Sequence, residues 1–241
     1  MSFSLLRTLA ATTFVIACAR SDAAPRAKDP AAAPATPTTT ATTTPATAPA
    51  AAPHDSISDR ADRGRILGDS TAPVWVIMAS DFQCPFCKQW HDSAFQKIVN
   101  TYVKTGRVRL AFLNMPLNIH QHAVAAAEAA MCASVQNKFW PMHEALFAAQ
   151  TEWETVPDPN QKFATMAAGV GVNMDAWRNC VTKHLALPMI QADRERAVAA
   201  NVGSTPTFFV GDQTLSGADA KVVEAIDAAL AKAHSGKKPA S

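Results

Sequence analysis

The sequence predicts an α/β domain in which a βαβ unit and a ββα unit are separated by an all-α insertion. Three observations carry that prediction. A short apolar, β-favouring run, Val74 to Ala79, leads six residues on to Pro85, a proline suited to a helix start. A long alanine-rich, helix-prone block fills the middle of the chain. The C-terminal part opens on Pro206, runs through Thr207-Phe208-Phe209-Val210, turns at Gly211-Asp212 and closes with an amphipathic segment.

The elements follow in order. Residues 1–18 hold one basic residue, Arg7, then an apolar run from Leu9 to Ala17. That run is too short for a bilayer, which needs roughly 20 helical residues. It reads as an export signal. Val15-Ile16-Ala17-Cys18 resembles the lipobox of bacterial lipoproteins, which marks Cys18 for lipidation; an ordinary signal peptide cleaved near Ala23-Ala24 is the alternative. Residues 19–55 read as a disordered tether. Between 23 and 53 lie 13 Ala, 8 Thr and 7 Pro and no aromatic or large aliphatic side chain, so nothing can be buried to offset the entropy of ordering. Extended, that stretch would reach roughly 95 Å at about 3.1 Å per residue.

The domain is assigned to residues 56–235, with a short disordered tail at 236–241. Within it, 74–79 is a buried strand, 85–105 a helix ended by Gly106, and 107–113 a second strand. The helical insertion, about 118–200, contains helices near 120–136, 138–150, 160–168, 174–184 and 189–200. Strands at 205–210 and 213–216 and a helix at 218–233 complete the order. Net charge is +2 and charged residues make up 17% of the chain, a balance that gives no electrostatic reason to expect nucleic acid.

Five cysteines need sorting. Setting Cys18 aside leaves four, an even number suited to an oxidising compartment. Cys84 and Cys87 lie one turn apart at a helix start and can close on each other. Cys132 and Cys180 remain, on two helices of the insertion, and read as a structural disulfide worth about 4 kcal/mol on the chain-entropy model; two buried free thiols are the alternative. At the helix N-terminus the Cys84 sulfur meets unpaired N–H groups that favour a thiolate, which makes it the exposed nucleophile and Cys87 the resolving thiol. His120 and His122 read as solvated or capping residues rather than zinc ligands. His91, seven residues after Cys84 on a similar helical face, offers a way to tune the thiolate, though a residue without that role is the favoured reading. The methionines are scattered, as in core filling, which argues against a soft-metal carrier built on Cys84 and Cys87.

Asp81-Phe82-Gln83-Cys84-Pro85-Phe86-Cys87, the stretch Ala126 to Ala133 running into Lys138-Phe139-Trp140, and Gly203-Ser204-Thr205-Pro206-Thr207-Phe208-Phe209-Val210 together resemble DsbA-like thiol-disulfide oxidoreductases. The resemblance spans roughly residues 65 to 233. It implies a thioredoxin-like fold with an inserted all-α subdomain and a protein disulfide oxidoreductase with no metal or organic cofactor, the Cys84–Cys87 disulfide serving instead. It also implies a cis Thr205-Pro206 bond against the active site, where the Thr205 backbone would meet an extended substrate. Pro85 and Phe86 between the cysteines, with Thr205 and Pro206, are the supporting residues.

Two departures matter. Many relatives carry a buried glutamate six residues before the first cysteine, where this chain has Met78. The stronger oxidants carry a histidine between the cysteines, where this chain has Phe86. The expected potential therefore lies between about −270 and −120 mV. The expectation is an exported, lipid-anchored enzyme of the periplasm or cell envelope, most simply an oxidase, acting on protein thiols and disulfides and reset by a redox partner. A reductase of other exported thiols and a soft-metal-binding lipoprotein are the rivals.

Overall fold

The computed structural model describes residues 56–218 and 220–236. The expected export signal with Cys18, the expected tether and the expected tail at 237–241 lie outside the described residues.

The chain enters through α1 (Ile57–Gly64), whose Ser56 N-cap and Asp59 form a reciprocal capping box, and then β1 (Ile66–Leu67). The sequence reading assigned neither element. β2 (Val74–Ser80) is the central strand, and its inward residues Val74, Val76 and Met78 are buried. After it come α2 (Pro85–Trp90), a π-helical turn (His91–Phe95), the short α3 (Gln96–Ile98) and a second π turn (Val99–Val103). The helix expected over 85–105 is thus one rod whose hydrogen-bond spacing widens twice, a pattern that single π turns inside helices produce. Gly106, at φ +70°, supplies the left-handed residue that ends it.

β3 (Val108–Asn114) runs parallel to β2, closing the βαβ unit. The insertion follows as α4 (Ala123–Ser134), α5 (Phe139–Ala148), α6 (Gln150–Trp153), α7 (Asn160–Gly169), α8 (Met174–Thr182) and α9 (Leu187–Ala199). The expected helix over 138–150 ends at Ala148, with a separate turn of helix after it. β4 (Thr207–Val210) and β5 (Gln213–Ser216) form a hairpin, and α10 (Val222–Gly236) closes the chain, four residues later than expected. The sheet order is β1-β3-β2-β4-β5, with β2–β3 parallel and the other pairs antiparallel. This is a thioredoxin-like sheet with an inserted all-α subdomain.

One tertiary tie staples the insertion to itself and a second holds it to the sheet. Cys132 on α4 and Cys180 on α8 are joined by a disulfide across 48 residues. Asp193 on α9 is fully buried; one of its oxygens accepts from the guanidinium of Arg65 and from the backbone N (3.1 Å) and Nδ2 (2.8 Å) of Asn114 at the end of β3. α1 is seated on α4 where Ser134 donates to the Ala61 carbonyl, and a Cβ at Gly64 would clash with Ser134.

Asp193→Ala leaves Arg65 buried without its main partner and should lower stability by about 3–5 kcal/mol in urea unfolding. The double variant Arg65→Met/Asp193→Leu should lose markedly less, because no charge is then stranded.

Candidate active site

β2 delivers the chain through Asp81-Phe82-Gln83 to Cys84, the N-cap of α2. Proline at the next position disfavours helical angles at Cys84, which sits at φ −72°, ψ 124°, the extended geometry of an N-cap. Its side chain thus faces the unpaired first-turn N–H groups. On the other side of the sulfur lies the loop before β4, where the Thr205–Pro206 peptide bond is cis. Cys84 Sγ is 3.4 Å from the Thr205 carbonyl oxygen. Cys84 and Cys87 are both free thiols.

The loop carrying the sulfur is pinned on every side by polar contacts. The buried Asp81 carboxylate accepts from the Gln83 N (2.7 Å), the Leu117 N (2.8 Å) and His120 Nδ1 (2.7 Å). Gln83 gives its Nε2–H to the Glu154 carbonyl (3.0 Å) and takes the His122 N–H on Oε1 (2.7 Å). Gln150 donates to the carbonyls of Phe82 (2.7 Å) and Cys84 (3.1 Å). Beneath them Phe82 stacks on Phe112 at 4.9 Å. Sequence reasoning missed Asp81, Gln83 and Gln150 as positioning residues; the first two stood inside the quoted motif with no role assigned.

The two thiols are electrostatically unlike. The hydrogen bond from Cys87, against the opposing effect of burial and with help from Thr205 and the backbone N–H groups of Cys87 and Phe86, pulls Cys84 down to about 6. Burial, followed by the bond it donates to Cys84 and the negative charge there, pushes Cys87 well above the ordinary thiol range. A protonated Cys84 donates to the Thr205 carbonyl. An ionised one needs donors, and the Thr205 hydroxyl is buried with no other partner among the described residues. The Ser80 hydroxyl is likewise buried and unpartnered, and acts to lower Cys87.

Several expectations need correction. Cys84 is buried, at 3% exposure, because its sulfur turns under the Thr205 loop; the exposed residues of the motif are Pro85 and Phe86, the latter at 59%. Phe86 borders a groove of about 430 Å³ shared with Gln89, Ser204, Thr205 and Gly217. His120 and His122 are not solvated. His120 is bound to Asp81, and His122, the N-cap residue of α4, is buried with Nε2 2.8 Å from the Val156 carbonyl. His91 turns toward His143 and Glu144. Met78 is buried in β2 between Phe112 and Phe208 of the flanking strands.

A family model described as Thioredoxin matches residues 60–231. Disulfide bond formation protein D of Bacillus subtilis is 25% identical over 62% of this chain and 68% of its own length. The oxidised BdbD structure from the same organism superimposes with a TM-score of 0.63 at 26% identity, covering 70% of this chain and 94% of that one. A Na(+)/H(+) antiporter NhaA of Salinispora tropica is 30% identical over 74% of this chain, which spans only 27% of the antiporter's length. Among the described residues no helix is long and apolar enough to cross a membrane.

The lowered Cys84 value sets a pH dependence. In the reduced protein, iodoacetamide should alkylate Cys84 with a rate that rises through a midpoint near pH 6, while Cys87 stays unmodified at neutral pH. Because the folded value lies below the unfolded one, the ionised thiol stabilises the reduced fold fully above the unfolded thiol's pKa, and that contribution disappears as pH falls through about 6. Thermal melts of the reduced protein against Cys84→Ser should show the gap closing over that window.

Proposed function

The chain belongs to the thioredoxin family, among its DsbA-like thiol-disulfide oxidoreductases, and on that premise we propose that it exchanges disulfides with protein substrates through Cys84 and Cys87. The observation that carries this reading is the asymmetric thiol pair, with Cys84 at the N-cap of α2 and 3.4 Å from the Thr205 carbonyl.

In the oxidising direction a substrate thiolate attacks the Cys84 sulfur of the disulfide. The Cys84–Cys87 bond breaks, Cys87 leaves with the electron pair and takes a proton, and a mixed disulfide forms at Cys84. The substrate's second thiolate attacks the substrate sulfur of that bond, and Cys84 leaves as a thiolate. Two electrons pass from substrate to the pair, and a redox partner of the same dithiol-disulfide chemistry removes them. A low pKa makes Cys84 a good leaving group in the second step. The exposed Phe86 and the groove beside Thr205 are suited to an extended, partly apolar chain.

The lowered Cys84 value favours the reduced pair and hence an oxidising disulfide. The Cys132–Cys180 bond suits an oxidising compartment, and the apolar run ending at Cys18 supports export with a lipid anchor. One observation favours the reductase reading: Phe86 offers no polar group to the thiolate where stronger oxidants of the family have histidine.

Equilibration in glutathione buffers separates the two directions. A potential above about −200 mV supports the oxidase, and one near or below about −250 mV the reductase. Cys84→Ser should abolish exchange with a model peptide disulfide, and Cys87→Ser should accumulate the mixed disulfide at Cys84. Phe86→His should raise the potential; an unchanged value would remove the argument from that position.

A further inference from the structure

Beyond the dithiol, one cluster of buried polar atoms is left unexplained by thiol exchange. His91 opens the π turn after α2, and His143 and Glu144 lie side by side on α5. One ligand atom from each can be chosen so that all three lie within 4.8 Å of one another. His91 Nε2 is 3.3 Å and His143 Nδ1 3.6 Å from the same oxygen, Glu144 Oε1. His91 Nε2, both ring nitrogens of His143 and Glu144 Oε1 are buried and have no hydrogen-bond partner among the described residues. His143 is fully buried. Phe82, Phe95 and Phe147 are among the rings packed around it.

Unpaired polar atoms at that depth are costly, and here several converge on one point instead of being scattered. A proton on His91 would serve Glu144, but His143 Nδ1, 3.6 Å from the same oxygen, stays beyond hydrogen-bond reach and His143 Nε2 has no acceptor among the described residues. A cation takes a lone pair from each of the three residues at once and leaves only His143 Nε2 unpaired. Two ligands about 2.0–2.1 Å from a tetrahedral zinc ion stand about 3.3 Å apart, close to both measured nitrogen–oxygen separations. The other nitrogen of His91, Nδ1, lies 2.9 Å from Asp92 Oδ1. A carboxylate on the far nitrogen is the usual support of a metal-bound histidine, fixing the tautomer and leaving Nε2 free to ligate.

We propose that His91, His143 and Glu144 form a binding site for a zinc-class divalent metal, with Nε2, Nδ1 and Oε1 as ligands and a water or second carboxylate oxygen completing the shell. The Glu144 side chain, 39% exposed, opens the route from solvent. The site does not involve the cysteines and does not rest on the direction of their exchange. Its place in the fold gives it a structural task. It joins the rod that begins with Cys84 and Cys87 to α5 of the insertion, so that bound metal would fix the thiol-bearing helix against the subdomain.

The test uses the whole protein with the Cys84–Cys87 pair oxidised, so that thiolates cannot bind the probe. After stripping with chelator and reloading with zinc(II) alone, one zinc per chain should survive gel filtration, and added zinc should raise the melting temperature. Glu144→Gln and His91→Gln, each verified as folded by circular dichroism, should bind at least tenfold more weakly and lose that rise. Cobalt(II) in the oxidised wild type should give a four-coordinate visible spectrum without thiolate charge-transfer bands, a readout that needs no variant. The proposal is overturned if the oxidised protein retains no stoichiometric zinc, if metal binds only after reduction, or if the variants bind as the wild type does.

Discussion

The antiparallel pairing of β2 with β4 is the constraint on which the site depends. β2 ends at Ser80 and passes within four residues to Cys84, while β4 begins immediately after Thr205-Pro206. Their register sets Ala79 opposite Thr207, so the exit of one strand and the entry of the other lie side by side. Only this pairing brings a sulfur and a carbonyl 121 residues apart to 3.4 Å. A shift of one residue would turn Met78 and Phe208 out of the core, and the buried aromatic packing therefore fixes the register that the chemistry needs.

Position alone does not make a sulfur behave as Cys84 does. The helical insertion supplies the second constraint by taking hold of the loop before α2. Gln150, the Glu154 carbonyl, the His122 N–H and His120 all come from the insertion or its approach, and each satisfies a polar group of residues 81 to 84. With its backbone groups paired, that loop holds the N-cap geometry in a dry setting, where the first-turn N–H groups act on the thiolate without competition from water. The Arg65–Asp193–Asn114 network and the Cys132–Cys180 bond work one layer further out, tying the same subdomain to the sheet and to itself.

Much of this was legible in the sequence because it rests on local signals. The run Val74 to Ala79 is apolar and β-favouring, Pro85 marks a helix start, Gly106 ends a helix, and Gly211-Asp212 sets a hairpin. Spacing and the helix start favoured Cys84 with Cys87 and Cys132 with Cys180, and the disulfide is found at the second of these pairs. What escaped depends on partners distant in the chain. The helix α1 is so polar, with only Ala61 buried, that no apolar period marks it, although Ser56 and Asp59 were a readable capping box. The π turns have no composition signal. The burial of Cys84 comes from a loop 121 residues away, and nothing near the motif foretells it. Asp81 and Gln83 look like ordinary loop polars until Leu117, His120 and His122 arrive to bind them.

The pairing of a low and a high thiol in one dry site bears on the missing carboxylate at position 78. In the reduced pair a single proton serves both sulfurs: it sits on Cys87 and is directed at the Cys84 thiolate. Reoxidation begins when that thiolate attacks a partner disulfide, which removes its charge and frees a partner thiolate. Cys87 must then give up its proton before it can attack Cys84. Met78 cannot accept it, and the Ser80 hydroxyl, though buried beside the pair without another partner among the described residues, can pass a proton on but not keep it. Within the exchange proposed above, the base already at hand is the thiolate that has just left the partner's disulfide. The step before the one that needs a proton acceptor generates one, so a site of this geometry can resolve its mixed disulfide without the buried carboxylate that many relatives place under the dithiol.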